Sequence, residues 1–261
     1  MRQHFRRFTE MRLLFRCVAL AGACWFYGTE REALLRLAGG MDLPAGNNGM
    51  VWFLGIVWLI LGLGMAARYF PSEIESMGCQ KQFQKFYVKR ESRESDGETK
   101  WNQAKRSADR GALGTLALWC GWNGIVYLLY FRGLFNDGHM LLLCLFYAVC
   151  DMVCILYICP FRVLIMKNRC CTTCRIYNWD ALMMMTPVLL SRNPAIQVLN
   201  LLALGLFLRW EWNWKTHPER FLELTNGALV CKACEHPASC AGCVRRSKRR
   251  KERISGDGNW K

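Results

Sequence analysis

The sequence predicts an all-α, polytopic membrane fold: four transmembrane helices, a re-entrant or broken helical hairpin, and a small cysteine-rich cytosolic tail. Three observations predict it. Apolar residues are gathered into runs at Met50–Phe70, Ala112–Phe131 and Met140–Cys159 rather than spread at amphipathic spacing, and each run is about the 20 residues that a hydrocarbon core requires. Among eleven Trp and eight Tyr, Trp52, Tyr69, Tyr130 and Trp210 stand near run ends, where an amphipathic ring prefers the interface. Nine Lys and Arg lie between Pro71 and Gly111, against one between Arg132 and His139 and two between Gly28 and Gly49, which is the positive-inside pattern.

The first helix is expected over Arg12–Tyr27, behind the basic start MRQHFRRFTEMRLLFR. It has no small-residue cleavage site, and Trp25, Phe26 and Tyr27 are wrong for one, so it reads as a retained helix rather than a signal peptide. Arg16 is expected to snorkel towards the cytosolic face. Residues 42–49, DLPAGNNG, read as an exterior turn, and the second run returns at Phe70. Residues 71–111 form a basic cytosolic segment in which RESRESDGETK reads as a solvated loop with helical flanks. The third and fourth runs close at Phe131 and Cys159, which leaves both chain ends on the cytosolic side of a cell membrane. The domains are thus 1–70, a helical membrane hairpin; 71–111, the basic loop; 112–210, further membrane helices; and 211–261, the tail.

A second apolar stretch, ALMMMTPVLLSRNPAIQVLNLLALGLFLRW, is interrupted by SRNP at Ser191–Pro194, where Pro194 forces Asn193 out of the helical region. One crossing would put the basic tail outside. A fold-back from Asp180, turning at Ser191–Pro194 and returning to Trp210, keeps it inside, provided that the turn is buried in protein or lines a wet cavity.

The chemistry is in the thiols. NRCCTTCRIYNWD carries Cys171 and Cys174 as a C-x2-C pair with Cys170 spare, and CKACEHPASCAGC carries Cys231, Cys234, Cys240 and Cys243 as two more pairs five residues apart. Two residues between thiolates let both sulfurs reach one ion, so each pair is half of a metal site. All six are expected as ligands of an iron–sulfur cluster or Zn²⁺, and the fold-back lets Cys171 and Cys174 share a site with Cys231 and Cys234. Arg169, Arg175 and Lys232 are expected to favour thiolate, which suits metal binding and a redox dithiol alike; outside the cell the same residues would form disulfides. Cys17, Cys24, Cys120, Cys144, Cys150, Cys154 and Cys159 read as small apolar groups packed between helices. Met183, Met184 and Met185 are consecutive and cannot all face one ion.

Asp151, in LLLCLFYAVCDMVCILYIC, is an ionisable group within a span, so it needs a partner, with Asn123 and Arg192 the candidates. Its functional reading is a proton-handling group or a contact for a quinone head; its structural reading is a packing anchor. Asn178 and Asp180 read as caps of the following helix, His217 as part of an interfacial aromatic belt with Trp210, Trp212 and Trp214, and His139 as an exterior loop residue.

The formal charge of +15 also suits nucleic acid, but neither a reading helix nor an aromatic platform accompanies it, and no nucleic-acid partner is expected. RRSKRRKER, Arg245–Arg253, reads as a solvated tail or one that binds anionic lipid headgroups. No hydrolase motif or nucleotide loop is present. The readings left are a membrane protein with a cysteine-ligated metal that passes electrons to a membrane acceptor such as a quinone, a zinc-stabilised scaffold or assembly factor, and a small-solute transporter built on the broken helix.

Overall fold

The computed structural model describes residues 2–40, 48–73, 75–90, 97–168 and 170–230. The regular structure among them is all helical, with one isolated antiparallel bridge between Lys89 and Asn226. Three helices are long and apolar enough to cross a membrane, over Gly49–Ala67, Glu98–Phe131 and Asp137–Leu156. Much of their outer surface is apolar and exposed, as at Trp52, Leu63, Leu113 and Leu128, which is a surface for lipid rather than water.

The helices run between two ends. Arg2–Thr29 (α1) packs along Asp137–Leu156 (α6). Arg31–Gly39 (α2) follows after one residue, then Asn48–Ala67 (α3), the single turn Met77–Gln80 (α4) and Gly97–Phe131 (α5). Asp180–Met185 (α7) and Pro194–Thr216 (α8) complete the set. α2 is not among the helices expected from the sequence; Ala33, Leu34 and Ala38 give it a buried stripe and Gly40, at φ +75°, a left-handed C-cap. The helix of the third span, expected from Ala112, starts earlier: α5 begins at Gly97 and has a polar first half. His139 is no loop residue: Asn136 accepts from the His139 N–H at 3.0 Å while His139 Nδ1 accepts from Asn136 N–H at 3.2 Å, a capping box that starts α6.

The fold-back at Ser191–Pro194 is present. α7 and a short 3-10 turn at Thr186–Val188 descend from Asp180, the chain turns, and α8 returns alongside α7. The broken backbone is paired rather than left bare. Tyr127 OH donates to Thr186 O at 2.7 Å and Asn200 Nδ2 to Val188 O at 3.1 Å. Asn193 accepts from the N–H groups of Ala195 and Ile196 as the N-cap of α8, with Pro194 at its first position. The turn docks on the C-terminus of α2, whose last carbonyls take hydrogen bonds from Ser191 Oγ (to Ala38 O, 2.6 Å) and Asn193 Nδ2 (to Leu37 O, 2.8 Å). The side chains of the turn thereby satisfy the open C-terminal backbone of α2.

A Cβ on Gly40 would stand 2.6 Å from Arg192 O, a backbone atom that cannot swing aside. Gly40→Ala is therefore expected to cost more than the roughly 1–2 kcal/mol of a left-handed alanine alone. Gly40→Asn, which tolerates that backbone, is expected to lose nearly as much; thermal unfolding of both variants in detergent checks this.

At the opposite end lies a second core of Trp210, Trp214, Phe221, Trp179, Ile176 and Met166. Trp210 and Trp214 are buried there, not set in an interfacial belt, whereas Trp212 is exposed. Residues 75–90, a flank of the basic segment 71–111, are packed into this end: Cys79, Gln80, Lys81 and Gln82 are all buried.

Candidate functional site

Residues 170–174 form a tight turn at this second end. Cys174 N–H donates to Cys171 O at 2.9 Å, Thr173 Oγ1 to Cys170 O at 3.0 Å, and Cys170 Sγ lies 3.1 Å from Thr172 Oγ1. From the other side Lys81 Nζ, fully buried, donates to Thr172 O at 2.9 Å and Cys174 O at 2.7 Å and sits 5.1 Å from the Trp210 ring centre. Burial drops the Lys81 ammonium to about 7. Arg175 fixes the exit of the loop. Its guanidinium makes two bonds to Glu211, at 2.8 and 2.5 Å, and lies 4.5 Å from the Trp214 ring centre. Trp179 Nε1 donates to the same carboxylate at 2.7 Å, and Trp210 Nε1 to Arg175 O at 2.7 Å.

Because Arg175 is committed to Glu211, it does not create the thiolate-favouring field expected of it. Burial instead pushes the Cys171 thiol up to about 12, Cys79 up to about 11, and Cys174 above its ordinary value. Cys171 points its thiol at Cys154 O, 3.9 Å away. As a metal half-site, then, Cys171 and Cys174 have to exchange protons for the ion, with affinity rising as pH rises. Among the described residues no group of three or more His, Cys, Asp or Glu side chains is placed to hold a metal. Cys231, Cys234, Cys240 and Cys243 lie outside the described residues, as does the basic run Arg245–Arg253. The chain leading to them is described up to Val230. It is tied to the 82–90 segment through Arg220 Nη1 to Gln82 O (3.2 Å), Arg90 N–H to Thr225 O (3.0 Å) and Gly227 N–H to Val88 O (2.7 Å).

Asp151 is paired with neither Asn123 nor Arg192. Arg192 belongs to the far turn, and Asn123 Nδ2 donates to Trp119 O at 3.0 Å. The partner is Arg16, which the sequence reading sent to the membrane surface: Arg16 Nη1 is 2.7 Å from Asp151 Oδ2 and 2.6 Å from Ala148 O. Asp180 is likewise no cap, since Arg68 Nη1 reaches its two carboxylate oxygens at 2.7 and 2.5 Å, and Asn178 makes no cap bond to α7. Arg12 with Glu75, 2.8 Å apart, completes three ion pairs near a cavity of about 60 Å³ lined by Arg16, Arg68, Asp151 and Asp180. His217 closes α8 beside Glu219, 3.2 Å away, rather than joining an aromatic belt.

On the other side of Asp151 and Asp180 is a larger pocket of about 350 Å³ between α5, α6, α7 and the cysteine loop. Cys150, Cys154, Cys159, Cys171 and Cys174 all line it, with Trp119, Trp122 and Phe146. Cys150, Cys154 and Cys159 are thus wall groups of a pocket, and Cys17, Cys24 and Cys120 are exposed on the helix surfaces; of the seven, Cys144 is fully buried between helices as expected. Lys81 and Cys79 carried no readable signal, because each lies outside a motif in a basic segment; Arg68, at the end of the apolar run Met50–Phe70, gave no sign of a carboxylate partner 112 positions away. Compared with protein-family models, curated proteins and solved structures, the chain finds no match.

Proposed function

We propose that the protein is an integral membrane protein holding a cysteine-ligated metal at its cytosolic face, as an iron–sulfur cluster or Zn²⁺. Cys171 and Cys174 supply two thiolates, Cys231 and Cys234 two more, and Cys240 and Cys243 extend or double the site. One observation carries this reading: the α7–α8 fold-back returns the chain to the end it left, so that Val230, directly before Cys231, follows a segment tied to residues 82–90, whose neighbour Lys81 grips the 170–174 turn. The cluster of Lys and Arg in 71–111 supports a cytosolic, reducing side, where thiols bind metals rather than pair with one another. An iron–sulfur cluster at this position would pass single electrons to a lipid-soluble acceptor in the bilayer, the reading that the apolar pocket under the loop supports.

Elemental analysis with an absorption spectrum of anaerobically purified protein tests this. Bound iron or zinc is expected at one or two sites per chain. Cys174→Ser and Cys231→Ser are each expected to remove the same metal, because they share an ion. Visible absorption bleached by dithionite selects electron transfer, and a colourless zinc protein selects the scaffold. Metal-free protein whose Cys174 and Cys231 both label freely with a maleimide sinks the proposal.

A further inference from the structure

Arg162 stands in a single π-helical turn, Phe161–Ile165, of a kind that tends to mark functional positions. Its residue is 5% exposed, it lines the 350 Å³ pocket, and its Nε is buried with no acceptor. Among the described residues its guanidinium makes no side-chain hydrogen bond or ion pair. The two carboxylates that line the same pocket are already engaged, Asp151 by Arg16 and Asp180 by Arg68. A buried cation without a carboxylate partner is disfavoured, since desolvation costs several kcal/mol per ion, and the group nearest to serving as its counter-charge is the Cys159 thiol of the same wall, drawn towards thiolate by its bond with Cys154 and by Arg162. A single sulfur leaves the guanidinium's planar set of donors, Nε included, open to an oxyanion that enters the pocket. The remainder of the wall says what carries the charge: Trp119, Trp122, Phe146 and Met183 are apolar, Trp122 and Phe146 are about half exposed on the lipid-facing side, and the volume is that of a small-molecule site.

We propose that this pocket binds an anionic amphiphile from the bilayer, its chain against Trp119, Trp122 and Phe146 and its carboxylate or phosphate head on the Arg162 guanidinium. A neutral quinone head fits less well, because it accepts a hydrogen bond but leaves the charge uncompensated. The proposal goes beyond the metal site and does not require it.

The test uses full-length protein in nanodiscs of zwitterionic lipid, with quenching of tryptophan fluorescence by a brominated fatty acid as the readout. Saturable quenching is expected, reduced in Trp122→Phe. Arg162→Leu is expected to weaken the brominated acid roughly 10- to 100-fold, the loss of a charge-assisted bond, and Arg162→Lys to weaken it less. The matching brominated alcohol is expected to bind weakly, and equally in wild type and Arg162→Leu. Cys150→Phe, which fills the pocket, is expected to abolish both. Should Arg162→Leu fail to fold, the preference of the wild-type protein for acid over alcohol carries the test. Equal binding of acid and alcohol by the wild-type protein overturns the proposal. So does competition by inorganic phosphate as strong as that of a fatty acid, which marks a site for free anions, or loss of bound metal in Arg162→Leu with acid binding unchanged, which makes Arg162 the counter-ion of the metal.

Discussion

Arg16→Met is expected to destabilise the protein by about 3–5 kcal/mol, the cost of leaving one member of a buried ion pair behind. Asp151 keeps only about an eighth of its side-chain exposure, 13%, and Arg16 12%. Removing Arg16 strands the carboxylate between the 60 and 350 Å³ cavities and takes away the donor to Ala148 O. Arg68, another cation at the smaller cavity, is engaged by Asp180 and offers little relief. Asp151→Leu alone strands the guanidinium and is expected to cost nearly as much. The double variant Arg16→Met/Asp151→Leu, apolar on both sides, is expected to recover most of the loss, because the pair in isolation contributes little net stability. Thermal unfolding of the four proteins in one detergent gives the coupling. The double variant also separates the two roles of Asp151: retained metal with lost reduction of a quinone assigns it to proton handling, and retention of both assigns it to packing.

How far the fold could be read from sequence follows from where local chemistry decides the outcome. SRNP decides its own turn, since Pro194 excludes a continuous helix and Asn193 is a strong cap, so the fold-back was legible. The apolar runs were legible for the same reason. α2 was not, because nine residues beside a Gly-rich segment look like a loop until the turn at Ser191–Asn193 covers their carbonyls. The partner of Asp151 was equally hidden: Arg16 lies 135 positions away, and the preference of arginine for the membrane surface argues against burying it. Lys81 is the sharpest case. A lysine in KQFQKFY reads as solvated, and only the closure of Trp210 and Phe221 over it, together with the two loop carbonyls, puts it in the interior. Of the proposed ligands, Cys171 and Cys174 were readable as a C-x2-C pair, whereas their burial, which raises both thiols, was not.

The burial of Lys81 has a thermodynamic signature. Its ammonium falls from 10.5 to about 7 in the folded protein, so from about pH 7 upwards the unfolded chain holds a proton that the folded one has shed. Stability then rises with pH, by up to about 1.4 kcal/mol per unit and roughly 2–3 kcal/mol between pH 7 and 9. Above pH 9 the thiols oppose it. Burial raises Cys79 from 9.0 to about 11, so the unfolded chain loses that proton first and stability falls as pH climbs from 9 to 11. Chelator-treated protein, in which no metal competes for the thiols, is therefore expected to be most stable near pH 9. In Lys81→Met the rise from pH 7 to 9 disappears while the fall above pH 9 persists. The same variant leaves Thr172 O and Cys174 O without their donor, about 1–3 kcal/mol for each buried carbonyl, and the 170–174 turn loosens. Faster maleimide labelling of Cys174 reports that loosening at any pH. A wild-type stability curve that is flat from pH 7 to 9 would show that Lys81 keeps its proton in the folded protein, held by the two carbonyls and the Trp210 face against the cost of burial.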